Sequence, residues 1–210
     1  MLLAIDTSAG TSVAVVDRDA GVIAECSSAD TRMHAEVVGT LIAEALAESG
    51  VPVSALSAVA AGMGPGPFTG LRVGIAAAQT FALAVGTPVV RVVSHDAIAF
   101  AEYLRGEQRP LLVVTDARRR EVYWSAYSGP GAGSTPVRSS GPGLARPDDL
   151  ADAVEDVGAY HRVDAAEVSA GSLGLLAETM FSLRIPFAGS EPLYLRAPDA
   201  TVSAGPKRVS

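Results

Sequence analysis

One plan occurs twice in this chain, and it constrains the fold more than any other feature. Residues 2–17, LLAIDTSAGTSVAVVD, and residues 111–127, LLVVTDARRREVYWSAY, each run an apolar strand into an acid, then a short polar turn, then a second strand. Short runs rich in Val, Ile, Leu and Tyr, bounded by turn residues, read as strands. A unit used twice predicts two lobes built alike. The first copy extends into an antiparallel meander of Leu2–Asp6, Thr11–Asp17 and Val22–Cys26, with a turn at Asp17–Gly21.

Helical patterns separate the strand units. Ala35–Ser49 carries Val37, Val38, Leu41, Ile42, Ala45 and Leu46 at helical spacing, and Gly50 is its stop. Ala55–Ala61 reads as a buried strand, Leu71–Val85 as a second helix and Val89–Val93 as a strand. Asp96–Leu104 reads as a third helix with Ser94 as its N-cap. Ser128–Pro147 is rich in Gly, Pro and Ser and reads as a surface excursion. Asp148–Val157 and Ser172–Leu183 read as helices, Leu193–Arg196 as a closing strand, and the tail from Ala197 as mobile. Strands alternating with helices, twice over, predict an α/β fold: a duplicated ribonuclease-H-like, actin-like (ASKHA) two-lobe fold with mixed sheets flanked by helices. The expected division is an N-terminal lobe at 1–106, a smaller C-terminal lobe at 107–196 and a tail at 197–210.

Composition narrows the function. The net charge of −7 argues against an independent nucleic-acid binder, because neutralising phosphate needs a basic face. The one dense basic run is Arg118–Arg120, which reads as a solvated turn or as one end of a salt bridge between lobes. Cys26 has no partner cysteine, so no internal disulfide is expected and a cytoplasmic location is. MLLAIDTS has no basic n-region, so no signal peptide is expected. No run of about 18 apolar residues is free of breakers and charge, so no membrane partner is expected.

Two local features carry candidate chemistry. Asp6, Thr7 and Ser8 end the first strand, and Asp116 ends its counterpart in the second lobe. Such turns hold nucleotide phosphate and a hydrated Mg²⁺, or they are hairpin turns whose side chains bond nearby backbone; both readings stay open. Residues 62–74, GMGPGPFTGLRVG, place three glycines and two prolines before a helix. They match neither a Walker A loop nor a dinucleotide fingerprint. A helix-docking turn is favoured over an anion cradle, with Thr69 as cap and Pro67 stiffening the approach. The helix Leu71–Val85 has one charge, Arg72, and is apolar all round, so it needs cover on every side. With Ala35–Ser49 it forms either an association surface or an internal pair. His34, His95 and His161 have no metal-ligand spacing, and His95 is most simply a residue near a helix N-terminus. The chain has no Gly-x-Ser-x-Gly elbow, which leaves a hydrolase reading without support.

LAIDTS, GMGPGPFTGLRVG, DARRREVYW and PLYLR, in this order and spacing, resemble the TsaB (YeaZ) family of bacterial threonylcarbamoyladenosine biosynthesis. The resemblance runs from residue 2 to about residue 127 and resumes at Pro192–Arg196. It implies the actin-like fold and a non-catalytic subunit. Such a subunit pairs with the transferase TsaD and the ATPase TsaE to modify the adenosine next to the tRNA anticodon. tRNA is met only through the complex. The helices at 35–49 and 71–85 are implied to pair with TsaD, or with a second copy as a homodimer. The residues implied for this are Val38, Leu41, Ile42, Leu46, Leu71, Ile75 and Ala78. No cofactor is required and no metal is expected, with weak ATP or ADP and Mg²⁺ as the option at Asp6, Thr7, Ser8 and Asp116. Where TsaD has a His-x-x-x-His metal pair, this chain has His95 and Ala99. Between Asp152 and Ser172 only Val157–Tyr160 is similar to the family's Gly-rich strand and turn, which weakens the adenine pocket. The competing function is an actin-like-fold small-molecule kinase or ATPase. It needs a phosphate loop in each lobe, and the turn Ala117–Arg120 lacks the glycine such loops use.

Overall fold

A computed structural model describes residues 1–196, so the expectation for 197–210 lies outside the described residues. The first sheet holds β1 (Leu2–Asp6), β2 (Thr11–Asp17), β3 (Gly21–Ser28), β4 (Ala58–Gly62) and β5 (Val89–Val92), in the order β3-β2-β1-β4-β5. β1–β2 and β2–β3 are antiparallel, whereas β4 joins β1, and β5 joins β4, in parallel. The second sheet holds β6 (Leu111–Asp116), β7 (Val122–Pro130), β8 (Pro136–Ala145) and β9 (His161–Ala165), in the order β8-β7-β6-β9. Here too the first two pairings are antiparallel and the last is parallel. β6, β7, β8 and β9 therefore repeat the plan of β1, β2, β3 and β4. This is the duplicated, actin-like two-lobe fold that the repeated strand–acid–turn–strand unit predicts.

Among the described residues five α-helices, α1 (His34–Ser49), α2 (Phe68–Val85), α3 (Ser94–Leu104), α4 (Leu150–Ala153) and α5 (Ala170–Leu183), cover the sheets. Alternation along each strand decides which face meets which helix. Leu3, Ile5, Val13, Val15 and Val59 pack with Val38, Leu41 and Ala45 of α1 and Ala78 and Ala82 of α2. Leu2, Ala4, Ala14 and Val16 turn the other way, onto α3 and α5. Leu111, Val113 and Tyr127 of the second sheet close the same core from beyond. Leu112, Val114 and Trp124 face Leu150 and Val154. The layers thus run α1/α2, first sheet, α3/α5, second sheet, α4. Strands buried on both faces read as continuous apolar runs, which is why β1 and β6 stand out in the sequence.

Several elements differ from the sequence reading. The excursion at Ser128–Pro147 is largely strand: β8 pairs with β7 through several register shifts. Its glycines are there for contact, since a Cβ on Gly143 would lie 2.4 Å from the Trp124 ring. β9 is unmarked in sequence because Val163 is the one large apolar residue in HRVDA. Leu193–Arg196 forms no strand. The helix at Asp148–Val157 shrinks to one 3₁₀ turn and the four residues of α4. The division at 106/107 also fails for one element. α5 lies late in the chain, yet it packs on β1, β2 and α3 of the first lobe. α2 is, among the described residues, the one helix long and apolar enough to span a membrane by length and composition. It lies instead against the first sheet, with Leu71, Gly74, Ile75, Ala78 and Ala82 buried.

Candidate functional site

The end of β1 is sealed. Asp6 is 1% exposed. Its Oδ1 accepts from the Ser8 N–H at 2.8 Å and from the Ser8 hydroxyl, and its Oδ2 accepts from the Ser94 hydroxyl. Ser94 Oγ in turn accepts from the Gly64 N–H at 3.0 Å. The Thr7 hydroxyl donates to the Gly70 carbonyl at 2.7 Å and accepts from the Gly74 N–H at 3.1 Å. The glycine spacing of GMGPGPFTGLRVG follows from this contact. A Cβ on Gly62 would fall 1.8 Å from Asp6 Oδ2, and one on Gly74 would fall 2.2 Å from Thr7 Oγ1. The stretch is therefore a docking turn that lays α2 against the β1 turn. Thr69 lies inside the first turn of α2, which starts at Phe68 after Pro67 without a side-chain cap. Ser94 opens α3 without capping it, because its hydroxyl is spent on Asp6.

Burial pushes the Asp6 carboxyl above its usual range, against the pull of the Ser8 and Ser94 hydrogen bonds. Mg²⁺ needs carboxylate oxygens that reach it directly or through water. Both Asp6 oxygens already serve serines of the protein, so Asp6 and Thr7 do not fit as ligands. Asp116 is exposed and its Oδ1 accepts from the Arg118 N–H at 2.9 Å. Of the four residues proposed from sequence, Ser8 and Asp116 border the same space. They line a cleft of about 270 Å³ between the lobes, together with Ala9, Thr31, His34 and Arg118. Among the described residues, no group of three or more His, Cys, Asp or Glu could hold a metal ion.

The second lobe is bolted to the first by polar groups the spacing of the sequence did not connect. His95 is fully buried on α3. Its Nδ1 bonds Ser125 Oγ and its Nε2 bonds Thr115 Oγ1, each at 2.9 Å. Burial pushes its pKa down to about 3, so the ring is neutral. Both nitrogens are engaged, and Ala99 stands one turn on. Beside it, Asp96 accepts from the Tyr127 hydroxyl at 2.8 Å and is gripped twice by Arg138, at 3.1 and 2.7 Å. His34 bonds Thr11 Oγ1 through Nδ1 at 2.8 Å, and burial and Arg118 hold its pKa down. His161 is exposed at the start of β9. Arg118, Arg119 and Arg120 all take left-handed backbone angles, with φ of 61°, 55° and 62°. Arg118 reaches across to the Thr31 carbonyl at 3.2 Å and to the Thr31 hydroxyl. This cross-lobe link of Arg118 is a hydrogen bond.

The α1–α2 pair needs the largest correction. Val38, Leu41, Leu71, Ile75 and Ala78 are buried within the monomer, and Ile42 and Leu46 are half-buried. The sheet covers one side of each helix, where Val38, Leu41 and Ala78 pack with Leu3 and Ile5 of β1 and Val13 and Val15 of β2. Met63 and Tyr194 cover Leu71 and Ile75. The face left open is the opposite one. α1 presents Ala35, Gly39, Ala43 and Ala47 beside Glu36, Glu44 and Glu48, while α2 presents Arg72, Ala76, Thr80 and Leu83. Leu83 is 84% exposed.

Comparison with known proteins fits this geometry. A crystal structure from Pseudomonas aeruginosa, described as an uncharacterized protein with similarity to peptidase YeaZ, matches with a TM-score of 0.76 at 27% identity; the match covers 93% of this chain and 99% of that one. The Haemophilus influenzae tRNA threonylcarbamoyladenosine biosynthesis protein TsaB is 37% identical over 59% of this chain and 52% of its own length. The family model for TsaD, tRNA N6-adenosine threonylcarbamoyltransferase, matches residues 9–136. The chain belongs to this family, on its TsaB (YeaZ) branch. The chain spans about half the length of that TsaB relative. A fuller match is to the uncharacterized protein Rv3421c of Mycobacterium tuberculosis, 40% identical over 95% of this chain and 93% of that protein. In this TsaB-type chain the glycine-rich signature serves to dock a helix.

Proposed function

We propose that the chain is a non-catalytic, cytoplasmic TsaB-type subunit in threonylcarbamoyladenosine synthesis. It docks a TsaD-type transferase through the open faces of α1 and α2. One observation carries the reading: the residues best placed for chemistry are consumed inside the fold. Asp6 and Thr7 hold α2 and α3 in place, and both His95 nitrogens hold the second sheet. Neither a metal nor a nucleophile is supported there. The open helix pair supports a partner, because its small residues let another backbone approach closely and the exposed Leu83 leaves apolar surface to bury. In this reading TsaD brings metal and chemistry, a TsaE-type ATPase joins the pair, and tRNA is met only through the complex. A second copy of the chain takes the same face when the transferase is absent. ATP or ADP binds at most weakly, in the cleft beside Ser8 and Asp116.

The test is reconstitution. tRNA modification by a TsaD-type transferase with TsaE is measured with and without this chain, and again with Leu83→Glu and Ala43→Arg. The chain is expected to restore modification. Each variant is expected to lose co-elution with the transferase while its circular dichroism stays unchanged. Threonylcarbamoyl transfer or sustained ATP turnover by the chain alone would refute the proposal.

A further inference from the structure

The motif Pro192–Arg196 ends a segment that no strand or helix explains. From the end of α5 the chain runs back across the first lobe. The Ala188 N–H donates to the Arg91 carbonyl on edge strand β5, and the Leu193 N–H donates to the Met63 carbonyl in the glycine loop, each at 2.9 Å. Ala188 and Tyr194 pack on Met63, Leu71 and Ile75. The Tyr194 ring meets Phe68, the first residue of α2, at 4.6 Å between centroids and 45° between planes. Phe68 lies in turn under the Arg72 guanidinium, 5.1 Å away. Arg196 then reaches the other lobe. It pairs with Glu121, and its Nη1 donates to the Ala117 carbonyl at 3.3 Å.

Ala117 and Glu121 bracket the turn of three left-handed arginines. Non-glycine residues hold that conformation only where their surroundings over-determine it. Here the surroundings include Arg118 on Thr31 of the first lobe and Arg196 at the end of the returning segment. We infer that residues 185–196 are an interlobe strap that ties the β6–β7 turn of the second lobe to the first turn of α2. Its fastenings are two backbone hydrogen bonds, the apolar and aromatic contacts of Ala188 and Tyr194, and the Arg196 side chain on Glu121 and the Ala117 carbonyl; none of them is a pairing between strands of either sheet, so it releases without opening one. Because Phe68 and Arg72 begin α2, the strap also sets where the open face of that helix starts. This last consequence rests on the partner reading above.

The test uses the full chain with Glu121→Lys, Arg196→Glu and the double charge swap. Hydrogen exchange by mass spectrometry, urea midpoints and affinity for a TsaD-type transferase are measured on each. Each single change is expected to speed exchange at least ten-fold at Leu193 and across residues 62–71, with the urea midpoint nearly unchanged. It is also expected to weaken transferase binding, and the swap is expected to restore both. Exchange that changes only at 194–196 overturns the strap. Faster exchange with unaltered affinity, where Leu83→Glu abolishes binding, overturns the coupling to the partner face. A wild-type chain that binds no transferase fails the partner reading instead, and the exchange data still decide the strap.

Discussion

Asp6 and His95 show how differently one buried titratable group can behave from another. Asp6 keeps its carboxylate inside the fold by accepting three hydrogen bonds, and burial still raises its pKa. Between the unfolded value of 3.8 and the raised folded value, the native state holds the extra proton. The Asp6 contribution to stability therefore falls as pH rises through that window. His95 has the opposite sign. Its folded pKa is lowered from 6.5 to about 3, so below pH 6.5 the unfolded chain takes up a proton that the folded chain refuses. Stability is complete above about 6.5 and is lost on acidification toward 3, at about 1.4 kcal/mol per pH unit from this one group. His95→Gln keeps a donor and an acceptor without titrating. Its denaturant midpoint is expected to fall less steeply between pH 6 and 4 than that of the wild type. Equal slopes would show that His95 already charges in the native state. The Asp6 strand end was visible in the sequence as an acid after an apolar run. Its partner Ser94 was not, because it lies 88 positions away.

At the scale of elements, α2 carries both uses the sequence offered, on opposite sides. Its inner side docks on β1 through Gly70 and Gly74, where an added Cβ would strike Thr7. Its outer side is open at Ala76, Thr80 and Leu83. A charge on each side should therefore act differently. Ile75→Glu buries an unpaired carboxylate beside Met63 and Leu71, and is expected to cost about 3 kcal/mol or more in a urea titration. Leu83→Glu is expected to leave the midpoint within about 0.5 kcal/mol. A stable Ile75→Glu protein would mean that the inner side is not a packed core. Apolar periodicity marked α1 and α2 correctly as helices. It could not say which side faced the sheet, because α2 is apolar nearly all round. β8 was hidden for a related reason. Gly141 and Gly143 look like loop residues until Trp124 is seen against them.

The whole molecule is two copies of one sheet plan with α3 and α5 pressed between them. The copies are not independent. Leu173, Leu176 and Ala177 of α5 fill the face of the first sheet that carries Leu2, Ala4 and Val16. The fragment 1–106 lacks this cover and exposes the apolar face. It is expected to unfold without a cooperative transition, or to aggregate, whereas the chain through residue 196 gives one sharp transition. A sharp transition in the isolated fragment, followed by circular dichroism in urea, would show that the first lobe is self-sufficient. Adjacency in sequence misassigned α5, since a helix takes its place from the surface it can bury and not from its position in the chain.

The sequence by itself determined what local and repeated pattern can carry. It set the duplicated strand unit, the apolar helices, the glycine-rich docking stretch and the family, because each is written in consecutive residues or at a short period. Only the tertiary structure decided which of those residues are free to act. Asp6, Thr7 and His95 carry polar groups suited to a reaction centre, yet each spends them on partners distant in sequence: Asp6 on Ser94 (besides its neighbour Ser8), Thr7 on the backbone of Gly70 and Gly74, and His95 on Thr115 and Ser125. That accounting exists only once the two lobes, α5 and the returning segment have closed around the strand ends.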